Sequence, residues 1–396
     1  MDADIIIAGG GVIGTAVAWR AAKSGQAVIL IDPGTGDPAT DDKASLVAAG
    51  MLGPVSESVF GEQDLLNLNL HAVDRFPAFN RELEDATGLA TGLRTEGTLA
   101  VAYDSGDLAA LDRLTDFRHA IGLQAERLDA RATRRLEPFL APSTRGGVLA
   151  TGDLSVDNRR YLAALRAAAA GAGVRTVRGT VTEVAGGRVR AALVSGPAPA
   201  ATLTARHVVV AAGHATRSVD GVPDEIRAAI RPVKGQILRL RHPGNLPHIL
   251  TRTVRAIVQG HDLYFVPRRD GELVVGATQE ERDDRDVTAG AVHDLLRDAA
   301  NAVPAVSELI FAEASAGLRP GTSDNGPVLG RVGGSDGEGS LIIAAGHFRN
   351  GILLSAVTAD AVTALLGGGE THPAWAPFGP GRFRLAAAAS PREART

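Results

Sequence analysis

Hydrophobic and polar positions divide this chain into two kinds of segment. Three short runs are almost uniformly apolar, and each ends at a glycine: Ile5 to Gly11, His207 to Gly213 and Leu341 to Gly346. Uninterrupted apolar runs of this length are typical of parallel strands that are buried on both faces. We therefore predict one nucleotide-binding domain with a central parallel sheet, which the chain enters three times.

The segments between these runs mix apolar and charged residues. Charges spaced around apolar positions predict amphipathic helices, and short alternating runs predict antiparallel strands. The predicted helices are Leu65 to Thr87, Leu108 to Leu140, Val287 to Val303 and Ile352 to Leu366. The predicted strands are Ile237 to Leu240, Leu263 to Val266 and Leu273 to Val275, with a hairpin turn at Arg269-Asp270-Gly271 and a further hairpin over Val181 to Val194.

Together these patterns predict an α/β protein with a discontinuous Rossmann-like domain and a second, substrate-binding domain. The second domain is predicted to have a mostly antiparallel sheet with flanking helices. The predicted ranges are 1–80, 145–220 and 315–372 for the Rossmann-like domain, 81–144 and 221–314 for the substrate-binding domain, and 377–396 for a disordered tail. The tail prediction rests on its Pro, Gly, Ala and Arg content without periodicity.

A glycine motif follows the first apolar run. Gly9, Gly11 and Gly14 have the G-x-G-x-x-G spacing between a predicted strand and a predicted helix. The first glycine allows a tight turn, the second lets the backbone approach a pyrophosphate, and the third lets helix and strand pack closely. The helix N-terminus, with Val12 and Ile13, offers N–H groups to the phosphates.

Asp32 ends the second apolar run of this unit, where an acid can accept hydrogen bonds from a ribose diol. A carboxylate there disfavours a 2′-phosphate, and therefore NADP. The motif alone leaves FAD and NAD as alternatives.

Composition narrows the class of protein. The chain has 396 residues, of which 45% are hydrophobic and 22% are charged, and its net charge is −4. This balance gives no sign of a nucleic-acid partner. With no cysteine, disulfides, thiolate ligands and a cysteine-linked flavin are excluded. The acidic start and the lack of an apolar run of about 20 residues predict neither a secretory signal nor a membrane span, so we expect a cytoplasmic protein. The histidines show no metal-binding spacing.

Later motifs make the interpretation more specific. In order they are Ala44 to Leu52, Tyr264 to Arg268 leading into Val275 to Thr278, Gly317 to Pro320 with Asp324 to Pro327, and Gly346 to Ile352. This series resembles the D-amino-acid-oxidase-like family of FAD-dependent enzymes. Within that family, Ala48 to Leu52 and Gly346 to Ile352 look most like the glycine oxidases of thiamine biosynthesis. The resemblance extends to about residue 370.

The resemblance implies non-covalent FAD and oxidation of glycine, N-methylglycine or another small amine by hydride transfer to flavin N5. Oxygen would be reduced to hydrogen peroxide, and the imine would supply thiamine thiazole synthesis. Open alternatives are a D-amino-acid or sarcosine-type oxidase, a dehydrogenase with another electron acceptor, an NAD-dependent dehydrogenase, and a flavin protein without turnover. By analogy, the resemblance implies a homotetramer.

The candidate catalytic residues are Arg319, Tyr264, Arg349 and Met51. A guanidinium binds a carboxylate through a two-point fork, which favours Arg319 as the substrate anchor. The Tyr264 phenol can donate a second hydrogen bond, Arg349 can line the site and favour oxygen reduction, and Met51 is predicted to lie in the wall near the flavin.

The resemblance also implies a set of cofactor contacts. The helix beginning at Asn350 is predicted to direct its N–H groups at the flavin pyrimidine, and Val181 to contact adenine. The full set is Gly9, Gly11, Val12, Ile13, Gly14, Asp32, Ser45, Ala48, Ala49, Gly50, Met51, Leu52, Val181, Ala212, Gly213, Arg319, His347, Phe348, Arg349, Asn350, Gly351 and Ile352.

One position departs from the family pattern. That pattern has a histidine two residues before the tyrosine, whereas this chain has Asp262 there and His261 one residue earlier. Pairing of Asp262 with Arg268 or Arg349 would account for an acid at this place. Whether Asp262 or His261 has a role stays open at this point.

Overall fold

The computed structural model describes residues 1–35, 41, 43–193, 200–244, 246–332 and 340–384. The helices are α1 (Val12–Lys23), α2 (Ala44–Val47), α3 (Gln63–Thr87), α4 (Ser105–Ala120), α5 (Ala130–Leu136), α6 (Asn158–Gly171), α7 (Asp224–Ala229), α8 (Ala289–Ala302) and α9 (Ser355–Leu366). Turns of 3₁₀ helix lie at Gly213–Ser218, Pro304–Glu308 and Pro373–Phe378.

The strands alternate with these helices along the chain. They are β1 (Ala3–Ala8), β2 (Val28–Asp32), β3 (Met51–Leu52), β4 (Thr98–Ala102), β5 (Glu126–Asp129), β6 (Gly146–Ala150), β7 (Leu154–Ser155), β8 (Arg175–Ala185), β9 (Arg188–Leu193), β10 (Ala200–Val210), β11 (Arg231–Arg241), β12 (Thr253–Val258), β13 (His261–Pro267), β14 (Glu272–Gly276), β15 (Ile310–Gly321), β16 (Val328–Val332) and β17 (Ser340–Ala345).

The three glycine-ended apolar runs lie side by side in one seven-stranded sheet. β1 pairs in parallel with β2 and β10, and β10 pairs in parallel with β17. Ile6, for example, lies opposite Val208, and Val208 lies opposite Leu341. One face of this sheet packs on α1, α3, α6 and α9. The predicted α/β class with a central parallel sheet is confirmed, because strands buried on both faces need apolar side chains throughout.

A second sheet of eight strands has the order β15-β11-β14-β13-β12-β4-β6-β5. Every pairing in it is antiparallel except that of β12 with β4. Successive side chains point to opposite faces, so Leu263 and Phe265 pack with α8. Tyr264 and Val266 point to the other face, where they pack with Val47 and Ala49. The predicted antiparallel sheet with a covering helix is therefore present.

β15 and β11 form the edge pair of this second sheet, from Arg231 opposite Gly321 to Arg241 opposite Ile310. The register shifts once, between Arg239 and Leu240. This shift is a β-bulge, in which an extra residue is accommodated on one strand.

Some predicted boundaries differ from the structure. β6 and the whole of β15 pair in the eight-stranded sheet, although the predicted Rossmann-like ranges began at 145 and 315. The predicted helix from Leu108 to Leu140 is wrong in its second half. α4 ends at Ala120, and Gly122 then adopts φ +83°, a conformation that favours glycine and stops a helix. β5 and α5 follow in its place.

The predicted disordered tail is also wrong for residues 377–384. Phe378 and Phe383 are buried, and Arg382 forms an ion pair with Asp324 at 2.7 Å. Aromatic burial and this ion pair hold the segment on the fold. Residues 385–396, and Val194 of the predicted hairpin formed by β8 and β9, lie outside the described residues. In the described ranges, no helix is long and apolar enough to cross a membrane.

Candidate active site

A cavity of about 810 Å³ lies between the two sheets. At one end it is lined by the glycine turn after β1, and at the other by β13, β15 and the turn after β17. A cavity of this size is near the upper end of small-molecule and cofactor sites in proteins. Of the predicted site residues, all line it except Gly14, Leu52 and Asn350.

The three motif glycines have different surroundings. A Cβ on Gly9 would lie 2.4 Å from the Ala211 carbonyl oxygen, and one on Gly14 would lie 1.8 Å from the Gly9 oxygen. A Cβ on Gly11 would meet only Ser45 Oγ, at 3.3 Å. Close packing of the turn after β1 on the backbone after β10 therefore requires Gly9, and close packing of α1 on that turn requires Gly14, whereas Gly11 borders the cavity itself.

Asp32 is buried at this end of the cavity and already has three partners. Its carboxylate accepts hydrogen bonds from the N–H groups of Gly10, at 2.5 Å, and Gly34, at 2.9 Å. Lys43 Nζ lies 2.8 Å from Asp32 Oδ1. The carboxylate thus stabilises the glycine turn, and its contact with a ribose stays a prediction. Lys43 was missed in the sequence, since nothing local connects it to Asp32.

Residues 44–52 form one wall of the cavity. Met51 lines the cavity, but its neighbour Leu52 is fully buried in the core behind. The prediction that Leu52 lines the wall is wrong, because β3 turns alternate side chains to opposite sides. Gly50 has φ +77°, and a Cβ there would lie 2.0 Å from the Val156 oxygen. Its glycine is therefore explained by packing on the segment before α6.

Polar side chains hold this wall from behind; Asn158 and Arg268 are buried, and Arg159 is partly buried. Asn158 Nδ2 donates to the Ser45 oxygen at 2.9 Å, and Arg159 Nε to the Leu46 oxygen at 3.1 Å. Arg268 Nη2 donates to the Ala49 oxygen at 2.7 Å.

Arg268 also donates to the Val156 oxygen at 2.9 Å, through Nη1. Burial lowers its pKa to about 10, so it remains charged at neutral pH. Arg268 and Arg349 were suggested by the sequence as partners of Asp262. The pairing with Arg268 is wrong, because Arg268 is buried behind the wall and binds main-chain oxygens there.

Tyr264 and Arg319 meet at the opposite end of the cavity. Glycines on neighbouring strands make room for both side chains: a Cβ on Gly276 would lie 2.5 Å from the Tyr264 oxygen, and one on Gly235 would lie 2.3 Å from the Arg319 guanidinium. Glycine within a strand often marks such a close approach. The two predicted substrate-binding side chains are thus brought together from strands that are far apart in sequence.

Arg319 is partly buried beside this tyrosine. In the part of the chain that the structure describes, its hydrogen-bond acceptors are the carbonyl oxygens of Thr278, at 3.2 Å, and Lys234, at 3.3 Å, not a carboxylate. Burial lowers the pKa of the Arg319 guanidinium, and Tyr264 opposes that shift. Burial also raises the pKa of Tyr264, so its hydroxyl stays protonated. The pair can donate hydrogen bonds to an anion.

Three further charged residues line this end. Arg255 on β12 lies opposite Tyr264 and donates to Glu57 Oε1 at 2.7 Å. Asp262 faces the cavity, whereas His261 faces α8 and lies 3.1 Å from Asp298. The Arg255–Glu57 pair was missed in the sequence, because its members are 198 residues apart.

The turn after β17 closes the cavity. Arg349 donates to Gln279 Oε1 and lies over the Phe348 ring at 5.2 Å. Both Arg349 and Phe348 also border an adjoining cavity of about 230 Å³. His347 is buried with its Nε2 3.1 Å from Thr358 Oγ1, and burial lowers its pKa to about 3. It is therefore a neutral group.

The predicted start of the last helix is wrong. α9 begins at Ser355, preceded by a tight turn in which the Ser355 N–H donates to the Ile352 oxygen. Asn350 lines the adjoining cavity instead. Gly351 and Ile352 do line the main cavity. Among the described residues, no group of histidine, aspartate and glutamate side chains could hold a metal ion.

The chain is similar to known proteins along most of its length. The sequence profile of a family described as FAD dependent oxidoreductase (DAO) matches residues 4–365. A glycine oxidase of Geobacillus kaustophilus is 34% identical over 389 residues, which cover 95% of this chain and 96% of that protein. Its crystal structure superposes with a TM-score of 0.84 at 33% identity, covering 96% of this chain and 98% of that one.

The bifunctional protein ThiO/ThiG of Synechocystis is 33% identical over 388 residues. The match covers 96% of this chain but 54% of that protein. This chain therefore spans about half the length of its bifunctional relative.

Proposed function

This chain belongs to the DAO family of FAD-dependent oxidoreductases, and from this premise we propose that it oxidises the amino group of glycine and N-methylglycine with oxygen. The observation that carries the proposal is the partly buried Arg319 beside Tyr264, at the far end of a cavity that begins at the dinucleotide motif. The full-length similarity to a glycine oxidase supports the same substrate class.

The cavity fits an extended dinucleotide. At its first end, Gly11 borders the cavity without a side chain, and the N-terminus of α1 faces the same space. Val181, Ala212 and Gly213 line the adjacent part. We propose that these residues hold FAD without a covalent link. Bound FAD would accept a hydride from the substrate α-carbon and pass its electrons to oxygen, giving hydrogen peroxide.

At the second end, the chain's own residues would bind and orient the substrate. A partly buried guanidinium whose acceptors are carbonyl oxygens gains a strong partner when a carboxylate arrives, and its planar fork fixes the direction of that carboxylate. The protonated Tyr264 hydroxyl would donate a second hydrogen bond. Met51 and Ala277, which also line this end, would exclude water from the opposite side. Orientation by this anchor is the main contribution expected of the protein.

A direct experiment tests the reaction. The purified protein should show a flavin absorbance band at about 450 nm. Anaerobic addition of glycine or N-methylglycine should bleach it, and peroxide should form on admission of air. D-Alanine and D-proline, assayed in parallel, decide between this proposal and a D-amino-acid oxidase. Bleaching without peroxide would indicate a dehydrogenase, and no bleaching by any of the four amines would refute amine oxidation.

The wall formed by residues 44–52 gives a second prediction. Arg268→Met should lower the free energy of unfolding by about 1–3 kcal/mol, because it leaves the Ala49 and Val156 carbonyl oxygens without their buried donor. The displaced wall should also weaken FAD binding, measured by titrating the apoprotein with FAD and following flavin fluorescence. Arg269→Met is the matched control, since Arg269 is exposed. Equal FAD affinity in both variants would contradict this role of Arg268.

The setting of the enzyme follows from resemblance. We propose that its imine product feeds thiazole formation in thiamine biosynthesis, supported by the match to part of a bifunctional ThiO/ThiG protein. A cytoplasmic location is supported by the absence of cysteine, and a homotetramer by analogy alone. Sedimentation of the purified holoenzyme tests the tetramer.

A further inference from the structure

An ion pair lies in the cavity wall directly beside Tyr264. Arg255 and Tyr264 are opposite each other on the paired strands β12 and β13, so their side chains share one face of the sheet. Arg255 Nη1 lies 2.7 Å from Glu57 Oε1. The side chains of Arg255 and Glu57 are only 20% and 14% exposed, and both line the cavity.

The loop that carries Glu57 is fixed from below. The carboxylate of Asp153 accepts hydrogen bonds from the N–H groups of Val55, at 3.0 Å, and Ser56, at 3.1 Å. Arg118 Nη2 donates to the Ser56 oxygen at 2.8 Å. Asp153 and Arg118 are themselves buried. Glu57 is therefore held where it faces Arg255, and the pair is part of the wall before any substrate arrives.

The three arginines at this end differ in how readily they can bind an incoming carboxylate. The partly buried Arg319 has carbonyl oxygens as its hydrogen-bond acceptors, Arg349 donates to the Gln279 amide oxygen, and Arg255 is paired with a carboxylate. An incoming carboxylate would therefore gain most at Arg319. A second anionic group that reached past Tyr264 would meet the Glu57 carboxylate beside Arg255.

We propose that the Glu57–Arg255 pair sets the charge specificity of the site: it admits amines with one carboxylate and rejects amines whose nitrogen substituent carries a second. The inference rests on the proposed function and adds the class of N-substituent that is accepted. A hydrogen or methyl group meets the ion pair without an electrostatic penalty. A carboxymethyl group meets the Glu57 carboxylate, and the Arg255 charge that would attract it is already paired with that carboxylate. Desolvation of the second carboxylate is therefore not offset by a new ionic contact, which costs binding free energy.

The test uses two ligands that lack an amine and cannot be oxidised at one. Methoxyacetate has one carboxylate, and diglycolate has the same backbone with a second. Binding to the FAD-loaded enzyme is followed by the change in flavin absorbance, so turnover is not required. The wild type should bind methoxyacetate at least about tenfold more tightly than diglycolate.

Two variants should move this ratio in opposite directions. Glu57→Gln keeps the side-chain shape but frees the charge of Arg255, so the preference for methoxyacetate should fall about tenfold or reverse. Arg255→Met leaves Glu57 as an uncompensated charge, so the preference should persist or increase. If the pair merely held the loop, both variants would change the ratio in the same direction. Asp262→Asn removes another carboxylate from the same wall without touching the pair, and should change the ratio less than Glu57→Gln does.

The outcomes separate the two proposals. If the wild type binds methoxyacetate and Glu57→Gln leaves the ratio unchanged, the charge-specificity inference is overturned while the carboxylate anchor stands. If the wild type binds neither ligand, the anchor fails and the inference falls with it. Opposite shifts in the two variants, with correspondingly better turnover of iminodiacetate by Glu57→Gln, support the inference.

Discussion

Arg319→Met should lower kcat/KM for glycine roughly 30- to 1000-fold. This corresponds to a loss of about 2–4 kcal/mol of transition-state stabilisation. The expected size follows from the surroundings of the side chain. Its guanidinium is partly buried, and its hydrogen-bond acceptors in the described structure are neutral carbonyl oxygens. A substrate carboxylate would therefore be its principal ionic partner, and a methionine in its place would leave that carboxylate desolvated and unpaired.

The measurement should separate binding from assembly of the enzyme. Flavin content and thermal stability of the variant are checked first, and the rate of anaerobic flavin reduction is then measured against glycine concentration. Arg319→Lys serves as the matched variant, because it keeps the charge but loses the two-point fork, and it should recover only part of the loss. Wild-type kinetics in Arg319→Met would remove this residue from the substrate site.

Tyr264 should be coupled to Arg319 rather than independent of it. Tyr264→Phe removes one hydroxyl donor and should cost less than Arg319→Met. Because the two side chains are neighbours, the double variant should not show the sum of the two losses.

Gly14→Ala should prevent stable folding, with a cost of about 3 kcal/mol or more. The new Cβ would lie 1.8 Å from the Gly9 carbonyl oxygen, which is main chain and cannot rotate away. Helix α1 would have to move off β1, at the centre of the parallel sheet. Soluble yield and the thermal unfolding midpoint are the measurements.

Gly11→Ala is the informative comparison, because its added methyl group would lie at the cavity rather than between α1 and the turn after β1. Gly11 has φ −73°, which alanine adopts readily, and its Cβ would meet only Ser45 Oγ, at 3.3 Å. The apoprotein should therefore keep its melting temperature while its affinity for FAD falls. If Gly11→Ala unfolded the apoprotein as severely as Gly14→Ala, the assignment of one glycine to packing and the other to the cofactor would be incorrect.

Local sequence could predict the frame of the molecule because the frame depends on local rules. Uniform apolarity identified β1, β10 and β17, and glycine spacing identified the turn at one end of the cavity. Arg319 and Tyr264 were recognisable through their motifs. Their convergence on one spot depends on which strands pair, and the residues alone do not reveal that.

The errors have physical causes of the same kind. Leu52 was misplaced because a two-residue strand turns adjacent side chains to opposite sides. The suggested pairing of Asp262 with Arg268 was wrong because Arg268 lies behind residues 44–50, in contacts that join positions more than half the chain apart. The aromatic residues Phe378 and Phe383 bury themselves in a segment whose composition suggested disorder. Each outcome was decided by tertiary packing rather than by local preference.

The β-bulge in the β11–β15 pair has a consequence for how this enzyme could tolerate insertions and deletions. Arg319 reaches the cavity because it shares a face with Gly317 and with its partner Val233. A change of one residue in the length of β15 between Ser315 and Arg319 would turn the guanidinium toward the opposite side of the sheet. A change on the far side of the bulge, near Ile310, can be absorbed there and leave the register around Arg319 intact. Related sequences should therefore vary in length at the exposed end of this strand and keep a fixed count over its last residues.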